Sequence, residues 1–457
     1  MIPVKILVYG VLGKFDYWNI KYRIKEETVK ARLPSEALVK YYKSKGYETD
    51  YILFAPESLI TLAEKDSEKA KEYLSNGGLE ECVREKANFV DLDFEIVLIP
   101  SLGWYFADSY SVNFVNYPEG IRAIASINFL KTAAGYDKIV LDISTGHNLY
   151  VSVLLDSFRD LIVNTKLRNL FWKNRNPEIC ILEAPPILGK KSANYEYKLH
   201  IRKYDVRVFF DFPLDKPSLP DVGKIVNNKE IIRKYREELE EYKKYIRNYY
   251  RAFNSIRYNT PLVLMDGGIL DMNLPDEGLL KTLLNLYEKI VCDARKKRKI
   301  KIEDSVITVE EERIEAMNII RPLHAAAFSD ALHELYKEKI EGKEATTENI
   351  REIFTEIYNE IGLKQNRVFM DNDLYTIEDC KQYMGSEWKI LNEIFRECWR
   401  TNKEQYATSE ISERNFFAHS GLERNSVEAR TDGEKIFLRY RRDEKIKRKI
   451  LSILGNR

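Results

Sequence analysis

The first 185 residues alternate short apolar runs with stretches long enough to be helices, and this alternation constrains the fold more than any other feature of the chain. Val4 to Tyr9, Tyr51 to Phe54, Glu95 to Pro100, Lys138 to Asp142 and Ile179 to Ala184 read as strands. Continuous apolar runs are strands covered on both faces, and the intervals between them are long enough for crossover helices. The pattern predicts an α/β N-terminal domain with a Rossmann-like, doubly wound and mostly parallel sheet.

In such sheets ligands sit beyond the carboxyl ends of the strands. Three loops there carry glycine beside polar or aromatic residues: Gly10 to Asn19, Ser101 to Tyr105 and Ser144 to Asn148. They supply Gly13, Lys14, Asn19, Gly103, Trp104, Ser144, Thr145, Gly146, His147 and Asn148 as candidate ligand-binding residues. The run from Asp142 to Tyr150 leads from a strand through a hydroxyl- and glycine-rich turn into an apolar helical stretch. Backbone N–H groups at such a helix start bind anions, and Ser144, Thr145 and Asn148 add uncharged donors. An ordinary capped turn, closed by Thr145 or Asn148, fits the same residues. Gly10 to Lys14 is too short for a Walker A loop and there is no Gly-x-Gly-x-x-Gly, so neither ATP hydrolysis nor dinucleotide redox chemistry is expected.

At 457 residues the chain should form two or three domains. Lys plus Arg is 73 against 72 Asp plus Glu, so any contact with nucleic acid must be local. The five cysteines are scattered, which argues against a disulfide scaffold or a zinc site and for a reducing cytoplasm. No cationic-then-apolar signal opens the chain and no run reaches the roughly 18 apolar residues of a membrane span. A cytoplasmic protein without a membrane partner is expected.

Tyr195 to Phe212 reads as a hairpin, followed by a linker marked by Pro213, Pro217 and Pro220. Residues 228–257 read as a helix whose Tyr235, Leu239, Tyr242, Ile246, Tyr249, Phe253 and Ile256 make a core or dimer stripe rather than an RNA-stacking ribbon. From about 305 onward nearly everything reads as helix: Glu310 to Leu335, kinked or restarted at Pro322, then Thr347 to Ile361 and Glu378 to Trp399. His324 and His333 read as buried polar residues. A basic tail, Arg439 to Arg442 and Lys445 to Lys449, tracks phosphates or forms the solvated face of a terminal helix. The expected domains are 1–190, a partly helical middle region 191–300, and a mostly α-helical 301–457.

Only five histidines occur, and one closes the run Arg414-Asn415-Phe416-Phe417-Ala418-His419. Arginine offers a permanent planar charge for a phosphorane, and histidine is the side chain whose ordinary pKa suits proton transfer near neutrality. Ser412 should cap a helix of two or three turns and Gly421 should end it. Five helical steps turn by about 140°, so Arg414 and His419 do not face each other, whereas Asn415 and His419 share a face. His419 is better placed to meet a second copy across a two-fold axis. A surface arginine and a half-buried histidine are the alternative reading.

The Asp142 to Asn148 loop resembles the D-x-[ST]-x-G-x-N motif of CARF domains, and Arg414 to His419 resembles the R-N-x-x-x-H signature of HEPN ribonucleases. Together they resemble the CARF/HEPN ancillary ribonucleases of type III CRISPR systems. The resemblance implies a CARF-like sensor of cyclic oligoadenylate, with cyclic tetra-adenylate as activator, and a HEPN-like single-strand endoribonuclease acting in antiviral defence. It implies Arg414, Asn415 and His419 as catalytic residues, attack by the ribose 2′-OH to leave a 2′,3′-cyclic phosphate, no catalytic metal or cofactor, and a homodimer or assembly of dimers. Two rivals stay open: a nucleotide-sensing transcription regulator using Arg295 to Lys299, and a catalytically silent sensor scaffold.

Overall fold

The computed structural model describes residues 4–145, 148–186, 195–208, 219–270, 278–399 and 411–455. The five predicted strands are present as β1 (Lys5–Val11), β2 (Glu48–Pro56), β3 (Glu95–Ile99), β4 (Lys138–Asp142) and β5 (Glu178–Glu183). They run parallel in the order β5-β4-β1-β2-β3, and β6 (His200–Lys203) lies antiparallel outside β5. Alternation along β1 sends Leu7, Tyr9 and Val11 to one core and Ile6 and Val8 to the other. Helix α1 (Pro34–Ser44) covers the second face, while α2 (Pro118–Thr132) and α3 (Asn148–Arg168) cover the first. A two-point pair from Arg122 to Asp160, 3.0 Å at each contact, locks α2 to α3.

The predicted middle helix is α4 (Lys229–Arg257), begun by the Asn228 side chain accepting from the Glu230 and Ile231 amides. Its aromatic stripe is core: Tyr235, Leu239, Ile246, Tyr249, Phe253 and Ile256 are buried. Helix α5 (Leu279–Lys296) follows. The expected hairpin after Tyr195 does not form. Glu196–Lys198 instead runs parallel to Ile20–Ile24, and His200–Lys203 joins β5, because the two short strands each complete a different sheet. Residues 209–212, Pro213 and Pro217 lie outside the described residues.

The all-helical reading after residue 305 also needs correction. Lys299–Glu303 and Val306–Glu310 form a hairpin whose turn, Asp304 and Ser305, has positive φ at both residues (47° and 67°). Val306–Glu310 runs parallel to Ser111–Val115, which pairs with the edge strand Gly103–Phe106, so this part of the chain extends a sheet begun near the N-terminus. Ile307 and Val309 are buried in the same core as Val112 and Phe114, which is what holds the hairpin there.

Beyond it come α6 (Met317–Leu335), with Pro322 inside it, α7 (Thr347–Ile361), capped by Thr346, and α8 (Lys364–Glu378). The last elements are α9 (Leu391–Trp399), α10 (Glu413–Ala418), α11 (Glu444–Gly455) and a small sheet of Lys389–Ile390, Val427–Thr431 and Ile436–Tyr440. The scattered cysteines gave no sign of the Cys380–Cys398 disulfide, whose Cα atoms are 5.6 Å apart. It forms because the chain turns back between α8 and α9. His324 is buried within α6, which pushes its pKa down to about 3 and keeps it neutral. Much of the basic tail is structural: Arg439 pairs with Glu428 and stacks on Trp388, and Arg442 makes a forked pair with Asp266. Among the described residues no helix is long and apolar enough to cross a membrane.

Arg295 and Arg298, offered above as part of a nucleic-acid recognition run, are engaged elsewhere. Each donates to Glu57 at 2.6 Å, and Arg298 also contacts Glu311 at 3.4 Å. Glu57 is 1% exposed. Removing Arg298 leaves Glu57 with Arg295 but strands Glu311, which is 4% exposed, and stranding one charge of a buried pair costs about 3–5 kcal/mol. Arg298→Ala is therefore expected to lower the unfolding free energy by about that amount in a denaturant titration, whereas Lys299→Ala, on an exposed position, should stay within about 0.5 kcal/mol of the parent.

Candidate functional site

The first site is a cavity of about 320 Å³ beyond the carboxyl ends of β1, β4 and β5, bounded by the start of α1. Asp142, the last residue of β4, is fully buried and organises it. One carboxylate oxygen accepts from the Ser144 amide (2.8 Å) and the other from the Ser35 amide in the first turn of α1 (2.9 Å). Burial pushes its pKa up, while these bonds pull it back toward the ionised form. Thr145 ties the same loop to β1 by donating its hydroxyl to the Val11 carbonyl at 2.8 Å.

Of the predicted ligand residues, Gly13, Lys14, Ser144 and Thr145 line this cavity. Asn19 lies between two lining residues, Trp18 and Ile20, and Asn148 is the exposed first residue of α3. Gly146 and His147 lie outside the described residues. Gly103 and Trp104 are not brought here: they belong to the edge strand of another sheet, where exposed Trp104 stacks on Phe106 at 6.4 Å.

The fold adds Tyr17, Trp18, Tyr22 and Arg32 to the lining. Gly13 donates its amide to the Tyr17 hydroxyl (3.0 Å), and the Lys14 ammonium lies over the rings of Tyr17 and Trp18 at 5.2 and 5.8 Å. Two cations, three aromatic rings and a hydroxyl-bearing loop suit an anion that carries flat bases. Tyr17 and Trp18 were legible, since they sit inside the Gly10 to Asn19 loop. Arg32 precedes the proline that opens α1, and nothing in its neighbourhood in sequence marks it.

The second site is built on α10. Ser412 caps it, its hydroxyl accepting from the Asn415 amide at 3.5 Å, as its position in sequence predicted. The helix is only six residues long, shorter than the expected two or three turns, because His419 already leaves helical geometry and Ser420 and Gly421 take positive φ (50° and 73°). Gly421 is required there: a Cβ would come within 2.8 Å of Thr260 and 3.0 Å of the Tyr440 hydroxyl. Phe416 is fully buried against Tyr440, and Phe417 packs on Tyr258 at 5.1 Å. The two rings anchor one face of the helix while Arg414, Asn415 and His419 remain exposed.

His419 is not solitary. Its Nδ1 lies 3.4 Å from the carboxylate of Asp373 on α8, and Asp373 also accepts from the Ser420 hydroxyl at 2.6 Å. The Asp373 bond raises the His419 pKa, against the opposing effect of partial burial. Asp373 is the residue that sequence reasoning missed at this site, for it lies 46 positions away on a helix with no motif of its own. Among the described residues no group of three or more His, Cys, Asp or Glu side chains is arranged to hold a metal ion.

Comparison with known families gives two matches. Residues 7–186 match the CARF domain of the CRISPR system endoribonuclease Csx1, and residues 363–442 match the HEPN domain of the same family. Curated individual proteins gave no match. The first match spans the cavity beyond β1, β4 and β5, and the second spans α8, with Asp373, through α10, with His419. Two domains of one kind of enzyme, each carrying one of the two sites, show that the chain belongs to the CRISPR-associated CARF/HEPN endoribonucleases.

Proposed function

We propose that this ribonuclease is switched on by cyclic oligoadenylate, with cyclic tetra-adenylate as the activator, and that it cleaves single-stranded RNA in the cytoplasm. The observation that carries the reading is the pairing of a cationic, aromatic-lined cavity in the sensor with an anchored helix that exposes Arg414, Asn415 and His419 in the nuclease. Residues 1–190 are assigned to the sensor and 301–457 to the nuclease; the hairpin Lys299–Glu310, at the start of the second, pairs with Ser111–Val115 of the first. In the sensor, Lys14 and Arg32 would face phosphates, and Tyr17 and Trp18 would stack on adenines. Ser144 and Asn148 supply further donors, while Thr145 holds the loop to β1 by donating its hydroxyl to the Val11 carbonyl.

In the nuclease, the ribose 2′-OH attacks its own 3′ phosphorus, a P–O bond forms, and the bond to the 5′ oxygen breaks. The products are a 2′,3′-cyclic phosphate and a 5′-OH. One proton must leave the 2′ oxygen and one must reach the 5′ oxygen; His419 is the general acid or base. Arg414 neutralises charge on the phosphorane, and Asn415 orients the phosphate or the imidazole. The nucleophile belongs to the substrate, so the mechanism needs no metal-generated hydroxide. Both transfers are met when two copies of α10 face each other across a two-fold axis. Exposed Val368, Phe369 and Tyr375 on α8 support such a homodimer, since they offer apolar surface beside the site.

The deciding assay incubates purified protein and labelled single-stranded RNA with cyclic oligoadenylates of several ring sizes. Cleavage should depend on the cyclic nucleotide, and constitutive cleavage or none at all would reject the reading. His419→Ala should lower the cleavage rate by about 10²- to 10⁴-fold while activator binding is retained, and Arg414→Lys should be nearly as damaging because lysine lacks the planar fork.

Sensor variants should behave differently. Lys14→Ala should raise the half-activating concentration by about tenfold or more, the worth of a charge-assisted hydrogen bond, and Thr145→Ala should raise it too by freeing the loop from Val11, with the rate recovering at saturation in both. Identical activation curves would move the sensor site elsewhere. Cleavage should also persist in excess EDTA and leave cyclic phosphate ends; activity that returns only on adding magnesium or manganese would point to metal-assisted hydrolysis.

A further inference from the structure

We propose that Asp373 is a positioning residue for His419: it holds the imidazole by Nδ1 so that Nε2 is the atom presented to RNA. The inference rests on the nuclease reading above and extends it. Asp373 Oδ1 lies 3.4 Å from His419 Nδ1, and Oδ2 accepts from the Ser420 hydroxyl at 2.6 Å. Ser420 in turn accepts from the Asn259 side-chain amide at 2.9 Å, just beyond the end of α4. The carboxylate is thus fixed by one oxygen and offers the other to the ring.

Its neighbour on α8 shows the contrast. Asp371 is occupied by arginines, Arg351 at 3.4 Å and Arg367 at 3.5 Å, as a structural ion pair would be. Two steps along the helix turn by about 200° and put Asp373 on the other side of α8, and among the described residues its only ion-pair partner is His419. A carboxylate held within reach of an imidazole and not spent on an arginine is placed to act on that imidazole.

The chemical consequence is specific. With Nδ1–H directed at the carboxylate, a neutral ring carries its lone pair on Nε2 and a protonated ring carries its second proton there. Either way the proton is exchanged with RNA at Nε2. The groups that bear on the ring's charge are Asp373 from α8 and Glu423 and Arg424 from the turn after α10; Asp373 has the largest effect and favours the imidazolium, as Glu423 does, while Arg424 and partial burial oppose it. Loss of the Asp373 charge therefore moves the ring toward the neutral form. The limb of the pH–rate profile that requires protonated His419 then shifts to lower pH.

The test compares Asp373→Asn, Asp373→Glu and His419→Ala with the parent at saturating cyclic tetra-adenylate, measuring kcat and KM for a short labelled RNA across the neutral pH range. Asp373→Asn should lower kcat by about tenfold or more, though by less than His419→Ala, with KM and the half-activating concentration unchanged. Its acid-requiring limb should move to lower pH, and Asp373→Glu should recover part of both effects. Titration of the ring followed by NMR, using His419→Ala to assign the signal, gives a readout without turnover: the His419 pKa should fall in Asp373→Asn. An unchanged pH profile and an unchanged ring pKa overturn the proposal, even if kcat falls, because a merely structural role would leave both in place. If His419→Ala retains the parent rate, the nuclease reading itself fails. If His419→Ala is inactive and Asp373→Asn is not, only the positioning role fails.

Discussion

Glu57 stands at the carboxyl end of β2, almost wholly removed from solvent, with two guanidinium groups directed at it from the far end of α5. Few arrangements are less tolerant of change, since an isolated buried carboxylate is costly and only well-placed cations offset it. Arg298 carries the arrangement further by reaching Glu311, just after the hairpin Lys299–Glu310, and the Leu74 carbonyl. One cluster therefore fixes where the sensor sheet, the middle helix and the late hairpin meet. From the same corner a second set of bonds runs toward the sensor loop: the Ser58 amide donates to the Ser101 hydroxyl, and so does Tyr150, in the first turn of α3. The loop that begins at Ser144 and the helix that ends at Lys296 thus share one bonded frame.

The parts of the fold visible in the sequence are those whose cause is local. Strands β1 to β5 stand out because a strand covered on both sides must be apolar throughout. Lys299–Glu303 alternates lysine with isoleucine, is exposed on one side, and follows an Arg-Lys run that draws the eye to charge instead. Its turn uses Asp304 and Ser305 where glycine or asparagine would have announced positive φ. Helix α8 was hidden for another reason. Met370, Leu374 and Ile377 make its buried stripe, but Val368, Phe369 and Tyr375 are exposed, so its apolar residues do not fall on one face.

The same division runs through the two sites. Arg414, Asn415 and His419 lie within six residues, between a serine that caps and a glycine that terminates, so a linear reading finds them together. Gly13, Lys14, Ser144 and Thr145 were reachable because strand ends in a parallel sheet converge. Gly103 and Trp104 follow a strand end too, yet the chain turns there into a second sheet and carries them away from the cavity. Asp373 had no such clue. Its partnership with His419 depends on how α8 packs near α10, and no spacing encodes that.

Asp142 and Asp373 show how one side chain serves two purposes according to its surroundings. Asp142 is wholly buried and spends both oxygens on backbone amides that lie at the start of α1 and in the sensor loop. Hydrogen bonds from Ser35 and Ser144 support its charge, and its contribution is to hold two chain segments at a set distance. Asp373 is only partly buried and commits one oxygen to a hydroxyl, leaving the other for a ring that is itself 58% exposed. Solvent screens that contact and keeps it weak as a source of stability. A weak contact is what the proton transfer proposed for His419 would require, since the ring would gain and lose charge in each cycle without the surrounding fold having to follow.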